Sequence, residues 1–286
     1  MVKVARDIRL SVPPPRFVVV HYHIFKNGGS TITSILQREF DQHFVTLHGP
    51  ADSSTIDAAG LTEFIANNPD ISAVSSHHLR YPKPAIPMGV IFDCCFLRHP
   101  LERLQSCYTY FKKINSADPL SRLARQYSPM AFLSKLMDDS PHLVSNVQVT
   151  FLANGGVFTR PADQTDLDRA TAVLREMAIP GLVARFDESL VAAEYFLKPA
   201  FPNLTLEYVP QNVSRPLGGH VDERQESLRN AWGADLYDAL VRLNQSDLEL
   251  YGIAESEVMR RFSLVPQAEQ RLAEFRSRCP YRQHVA

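Results

Sequence analysis

Two hydrophobic rhythms alternate along this chain: short, near-continuous apolar runs, and longer stretches where apolar residues recur every three or four positions. The first run is Arg16–Ile24 (RFVVVHYHI), β-branched and aromatic, as expected of a strand covered on both faces. Phe25-Lys26-Asn27-Gly28-Gly29 follows, and from Ser30 the spacing of Ile32, Ile35, Leu36 and Phe40 predicts a helix with one apolar stripe. Phe44–His48 and Ile71–His77 read as strands, with the amphipathic Leu61–Asn67 between them. Gly89–Leu97 (GVIFDCCFL) is a further strand. A helix begins at Pro100, a residue suited to the first turn, and sets Leu101, Leu104, Tyr108 and Phe111 on one face. Residues 114–178 read as mainly helical, Gly181–Phe186 as a late strand, and 188–199 and 222–262 as helices.

Strands alternating with helices predict the α/β class: a P-loop-like three-layer fold with a central parallel sheet flanked by helices. No repeat, low-complexity tract or linker interrupts the pattern. The expectation is therefore a single domain over 1–286, with 1–15 an extended lead-in set by Pro13, Pro14 and Pro15, and 263–286 a C-terminal extension.

Composition narrows the function. Hydrophobic residues make up 45% and charged residues 21% of the 286, enough for a sizeable core. The formal net charge of −1 excludes the global basic field of a nucleic-acid binder, so any anion site is local. No apolar run has the length of a membrane span, and the start is too polar and proline-broken for a signal peptide. Cys94, Cys95, Cys107 and Cys279 show neither metal-ligand spacing nor a disulfide framework, and read as buried thiols in a reducing cytoplasm.

The chemistry concentrates at three places. In the first, Gly28 and Gly29 let backbone approach an anion, and the helix from Ser30 aims N–H groups and a positive dipole end at it. Lys26 adds a full charge, and Asn27, Ser30 and Thr31 add donors. Lys26 precedes the glycines, so this is not a Walker A loop. In the second, Arg98 ends a strand, where open α/β sheets bind ligands, and Ser106 lies about two turns into the next helix. In the third, His77 and His78 close the Ile71 strand, and neutral imidazole is a suitable general base.

Together these segments resemble the sulfotransferases that use 3′-phosphoadenosine 5′-phosphosulfate. The run His23–Thr31 is similar to the 5′-phosphosulfate loop of carbohydrate members, H-I-P-K-T-G-G-T, with Phe25 for the proline and Asn27 for the threonine. Cys95–Tyr108, with Arg98, His99-Pro100 and Ser106, resembles their 3′-phosphate segment. Weaker likenesses follow in order: Ser145–Leu152 to N-x-Q-x-x-x-L, Gly181–Leu190 to G-x-x-E-R-F-D-E-S-L with Ala184 for the glutamate, Gln211–Pro216 to the loop that closes over the nucleotide, and Asp247–Tyr251 to a late D-x-x-x-Y helix. Ser76-His77 matches a Gly-His whose histidine is the family's base. The order favours the membrane-anchored carbohydrate group, uronyl 2-O-sulfotransferases among them, and with no anchor here implies a soluble bacterial relative.

The resemblance implies sulfuryl transfer from 3′-phosphoadenosine 5′-phosphosulfate to a hydroxyl of an acceptor, a glycan or glycoconjugate, with no metal required. Lys26 and His77 (His78 as second choice) are the implied catalytic groups. Lys26, Asn27, Gly28, Gly29, Ser30, Thr31, Arg98, Ser106, Asn212 and Arg215 would hold the nucleotide. His23 supports the loop, His142 and His220 lie near segments that line an acceptor cleft, and Arg80, Lys83 and Arg215 read first as solvated cations. The alternatives are a P-loop-type nucleotide kinase or phosphotransferase, and a non-catalytic nucleotide- or glycan-binding module on the same fold.

Overall fold

The computed structural model describes residues 15–51, 53–114, 116–156, 159–211 and 221–279. The expected lead-in, apart from residue 15, lies outside them, as do Asn212, Arg215 and His220.

The amino-terminal part runs β1 (Arg16–Tyr22), α1 (Gly29–Phe40), β2 (Phe44–Thr46), α2 (Ala58–Asn67), β3 (Ala73–Ser76) and β4 (Gly89–Leu97). The middle is helical, with α3 (Pro100–Lys113), α4 (Pro119–Gln126), α5 (Pro129–Asp139), α6 (Val147–Asn154) and α7 (Gln164–Glu176). Then come β5 (Ile179–Leu182), α8 (Phe186–Leu197), α9 (Val221–Trp232), α10 (Ala234–Leu243), α11 (Gln245–Ser263) and α12 (Ala268–Arg278).

The five strands form one all-parallel sheet in the order β2-β3-β1-β4-β5, with helices on both faces, as the hydrophobic alternation predicts. β1 is central: Val19 lies opposite Ala73 of β3 and Phe92 of β4. Its apolar run therefore serves two cores. Val18, Val20 and Tyr22 pack among Leu61 of α2, Leu152 of α6, Leu174 of α7 and Leu250 of α11. Val19 faces the other way, among Ile32 and Ile35 of α1, Leu190 of α8, and Leu272 and Phe275 of α12. Each such buried side chain contributes roughly 1.5–3 kcal/mol of transfer free energy. The residues expected as a C-terminal extension thus reach into the second core through α12. A third cluster, centred on Trp232, Phe132 and Leu133, joins α3, α4, α5, α9 and α10 into a helical layer of its own.

The chain leaves β1 toward one edge of the sheet and leaves β4 toward the other, so the carboxyl ends of these neighbours flank the switch point where open α/β sheets bind ligands.

One strand lies earlier than the sequence suggests. β5 spans Ile179–Leu182, not Gly181–Phe186; the chain turns over Val183–Arg185, and α8 starts at Phe186 rather than 188. Pro180 is tolerated inside the strand because β5 is an edge, where a missing N–H costs no ladder bond. The turn comes early because the Ser189 hydroxyl accepts from Leu182 N (3.1 Å) and donates to the Arg185 carbonyl (2.6 Å), while Asp187 and Glu188 favour the first turn of the helix. Among the described residues no helix is long and apolar enough to cross a membrane. All four cysteines are free and buried.

Candidate functional site

The loop leaving β1 closes on itself through Asn27 N, which donates to the Ile24 carbonyl (3.2 Å). Lys26 (φ 68°) and Gly28 (φ 76°) both take left-handed backbone, which reverses the chain into α1. No side chain caps that helix at Gly28, so no side chain competes with an anion for the N–H groups of Gly29 and Ser30, while Thr31 N donates to the Gly28 carbonyl (3.0 Å). A Cβ on Gly28 would press on the Phe186 ring at 3.2 Å, and one on Gly29 would lie 1.8 Å from His23 Nε2. Gly28 is required by the turn and Gly29 by the space.

Arginines hold the loop carbonyls back. Arg98 Nη1 donates to the Lys26 carbonyl (3.3 Å), and Arg103 Nε, from the next turn of α3, donates to that of Phe25 (3.1 Å). Asn27 corrects an expectation. Its amide is buried and donates to the Phe96 carbonyl (2.9 Å) and to Gln148 Oε1 (2.8 Å), so both donors are used inside the protein and none remains for a ligand. Asn27 anchors the loop.

Gln148 is the hub of that anchor. Its Oε1 also accepts from Arg98 N (2.9 Å), and its Nε2 donates to the Arg98 carbonyl (2.9 Å). Buried Asp247 in turn accepts from Gln148 N (3.1 Å) and Val149 N (2.8 Å), while Asn146 Oδ1 accepts from Asp247 N (3.0 Å). The N-x-Q segment on α6 and the D-x-x-x-Y segment on α11 therefore meet each other, and jointly hold both the loop and the β4–α3 corner. Burial pushes the Asp247 carboxyl up, against the pull of these donors.

Three cations converge at the mouth. The Lys26 ammonium sits 4.6 Å from the Tyr110 ring centroid and has no carboxylate partner among the described residues. Burial holds it below the usual lysine range, and Arg98 and Lys113 act in the same direction. Arg98 Nε is buried without a hydrogen bond and lies 3.9 Å from Glu102. Glu102 also accepts from Arg224 of α9 (2.8 Å), which joins the helix after residues 212–220 to this corner. Ser106 is buried on α3, two turns beyond Arg98. At the start of α1, Ser30 is exposed, whereas Thr31 is buried and its hydroxyl accepts from Gln211 N (3.0 Å). Gln211, the first residue of the segment expected to close over the nucleotide, thus touches α1, and the rest of that segment lies outside the described residues.

Both candidate bases lie just past β3. The exposed His77 turns Nδ1 to the His23 carbonyl (3.1 Å) and stacks on the His23 ring, centroids 3.6 Å apart. A carbonyl only accepts, so Nδ1 carries the proton and the Nε2 lone pair is left basic. Although His77 is exposed overall, loss of hydration where it packs on His23 holds its imidazole below its ordinary value, partly offset by that hydrogen bond. His78 points the other way: it is buried, its Nδ1 meets the Ser54 carbonyl (2.9 Å), and its ring lies against Gly49 and near His48. His142 lies on an exposed turn at Pro141–Leu143. Among the described residues, no group of three or more His, Cys, Asp or Glu is arranged to hold a metal ion.

Arg224 escapes sequence reasoning because no periodicity or motif distinguishes it from a surface charge, and Glu102 and Arg103 lie inside the Cys95–Tyr108 segment without a role that its spacing assigns. The arginine-rich spelling Arg98-His99-Pro100-Leu101-Glu102-Arg103 was the only signal available.

No family model matches the chain. A protein of Archaeoglobus fulgidus, described only as an uncharacterized protein, is 26% identical over 242 residues, covering 82% of this chain and 95% of that protein. The likeness is too long for a single motif to account for it, and it carries no activity to this chain.

Proposed function

We propose that this chain is a sulfotransferase, moving a sulfuryl group from 3′-phosphoadenosine 5′-phosphosulfate to a hydroxyl of a carbohydrate acceptor. The observation that carries the reading is the clearing of the loop: Arg98 and Arg103 take the Lys26 and Phe25 carbonyls, and Lys26 keeps no carboxylate partner among the described residues. Such a loop suits a highly charged anion.

The first-turn N–H groups of α1, with Ser30, take the 5′-phosphosulfate, and Arg98 with Ser106 takes the 3′-phosphate. His77 Nε2 removes the acceptor proton as the acceptor oxygen forms its bond to sulfur in line. The bond from sulfur to the bridging oxygen breaks, that oxygen departs with the 5′-phosphate, and the Lys26 ammonium offsets the charge it gains. Four buried free thiols support a reducing, cytoplasmic setting.

The direct test pairs binding with turnover. At saturating concentration 3′-phosphoadenosine 5′-phosphate should raise the melting temperature, as any ligand selective for the folded state must, and labelled donor should pass sulfate to members of a glycan and small-alcohol panel. Stabilisation by ATP instead, with phosphate transfer, would turn the reading toward a kinase. Binding with no transfer to any acceptor would favour a non-catalytic module.

A further inference from the structure

Three imidazoles stand in a column beside the loop, and neither nucleotide binding nor proton transfer uses the middle one. His21 and His23 stack at 5.0 Å, and His23 and His77 at 3.6 Å, with interplanar angles of 22° and 29°. His21 is fixed from below: its Nδ1 meets Ser75 Oγ (2.9 Å), which also meets Thr33 Oγ1 (2.9 Å) on α1. His23 is held differently. It makes no side-chain hydrogen bond among the described residues, yet it is buried. What holds it is shape, because its Nε2 edge occupies the place where a Cβ of Gly29 would be. One edge of the ring therefore rests on the first residue of the anion loop's helix, and one face rests on His77.

We propose that His23 is a positioning residue that couples Gly29 of the anion loop to His77, so that the seating of the loop sets the ionisation of the base. In this arrangement the His23 ring is a rigid spacer. If the loop backbone at Gly29 moves, the ring must follow, because interiors at this contact distance have no free volume to absorb the shift. When the ring slides off His77, water reaches the uncovered face and the imidazolium is stabilised. The other charged or titratable groups around His77 are His21, His78, His48 and Arg80, with Lys26 acting on His23, and none of them links the loop backbone to His77 by packing. The inference gains its catalytic meaning from the reading of His77 as base, but it can be tested on unliganded protein without any turnover.

The experiment follows the His77 ring proton by NMR through a pH titration, in four proteins whose folding is checked by circular dichroism: wild type, Gly29→Ala, His23→Ala and the double variant. Gly29→Ala displaces the His23 ring and should move the His77 titration upward. His23→Ala removes the spacer and should move it upward as well. In the double variant, with the spacer gone, the added methyl at position 29 should change nothing further. An unmoved His77 in folded His23→Ala would overturn the coupling, and so would an equal shift from Gly29→Ala in both backgrounds. If Gly29→Ala does not fold, the His23→Ala titration still decides, with His23→Gln as a partial spacer expected between it and wild type. Failure here leaves sulfuryl transfer standing; failure of transfer leaves this titration unaffected.

Discussion

Two parts of the molecule use arginine in opposite ways. Around α8, α11 and α12 the arginines are matched to acids. Arg276 meets Asp187 at 2.8 Å, Arg278 meets Glu194 at 3.0 Å and Glu207 at 3.2 Å, and Arg260 and Arg261 share Glu257 at 2.8 and 2.6 Å. At the carboxyl ends of β1 and β4, Lys26 has no carboxylate partner among the described residues, Arg98 lies 3.9 Å from Glu102 with its Nε unbonded, and Arg98 and Arg103 donate to loop carbonyls. The protein as a whole is nearly neutral, so the imbalance is local. The Arg276 and Arg278 pairs fasten α12 to α8, and the Glu257 pairs brace α11 along its own length. Lys26 and Arg98 at the mouth are partly desolvated, a costly arrangement unless an anion relieves it.

The strongest test of the mouth is its base. His77→Ala should cut turnover by about two to four orders of magnitude while leaving affinity for 3′-phosphoadenosine 5′-phosphate unchanged in a direct binding assay. The same loss in His78→Ala, with His77→Ala near normal, would move the base to the buried neighbour. Because loss of hydration at the face stacked on His23 holds His77 below its ordinary imidazole value, the active neutral form persists as pH falls through about 6.5, and the acid limb of the rate profile should lie lower than for a free histidine.

Lys26→Ala should lower turnover by roughly 10²–10³-fold, the usual cost of losing a charge-stabilising group, and unlike His77→Ala it should also weaken donor binding. Equal donor affinity in Lys26→Ala and wild type would show that the ammonium belongs to the Tyr110 ring and not to the ligand.

Arg98→Ala should remove a charge-assisted contact worth about 1.5–3 kcal/mol. Calorimetry should show that loss for 3′-phosphoadenosine 5′-phosphate and little of it for adenosine 5′-phosphosulfate, which has no 3′-phosphate. Equal losses for the two would make Arg98 a loop support through its bond to the Lys26 carbonyl.

Among the matched charges the effect should be smallest. Arg278 is 38% exposed, and Arg278→Ala should change unfolding free energy by only about 0–1 kcal/mol with no change in nucleotide affinity. A marked loss of binding there would erase the distinction between the two regions.

Acid stability separates the regions in a different way. His21 is buried and held down to about 3 from an ordinary 6.5 by loss of hydration, with His77 adding to the effect. Its folded form resists a proton that the unfolded chain accepts, so its contribution is full above pH 6.5 and declines as pH falls toward 3. His21→Asn should flatten the decline in melting temperature across that window; an unchanged slope would place the acid sensitivity elsewhere.

Much of the frame was legible in the residues. The apolar runs of β1 and β4 and the stripe of α1 announce themselves, because a strand buried on both faces and a helix buried on one leave different periodicities. Gly28, Gly29 and Lys26 were visible as a loop for the same local reason: backbone reversal before a helix needs residues that tolerate it. The bounds of β5 are not legible in the residues, since an edge position that tolerates Pro180 and a hydroxyl that turns the chain at Ser189 are properties of the assembled sheet.

What the amino-acid order determined by itself was the sequence of elements and the chemistry available at the ends of two strands, both consequences of short-range spacing. Which groups are free to act was decided only by the tertiary structure. Asn27, a donor on paper, is used up by Phe96 and by Gln148, 121 positions away. Of two adjacent histidines, His78 is buried against Gly49 and Ser54, while His77 is exposed with its tautomer set by the His23 carbonyl. Hydrogen-bond capacity and hydration are spent between elements far apart in the chain, and local sequence holds no record of where they go.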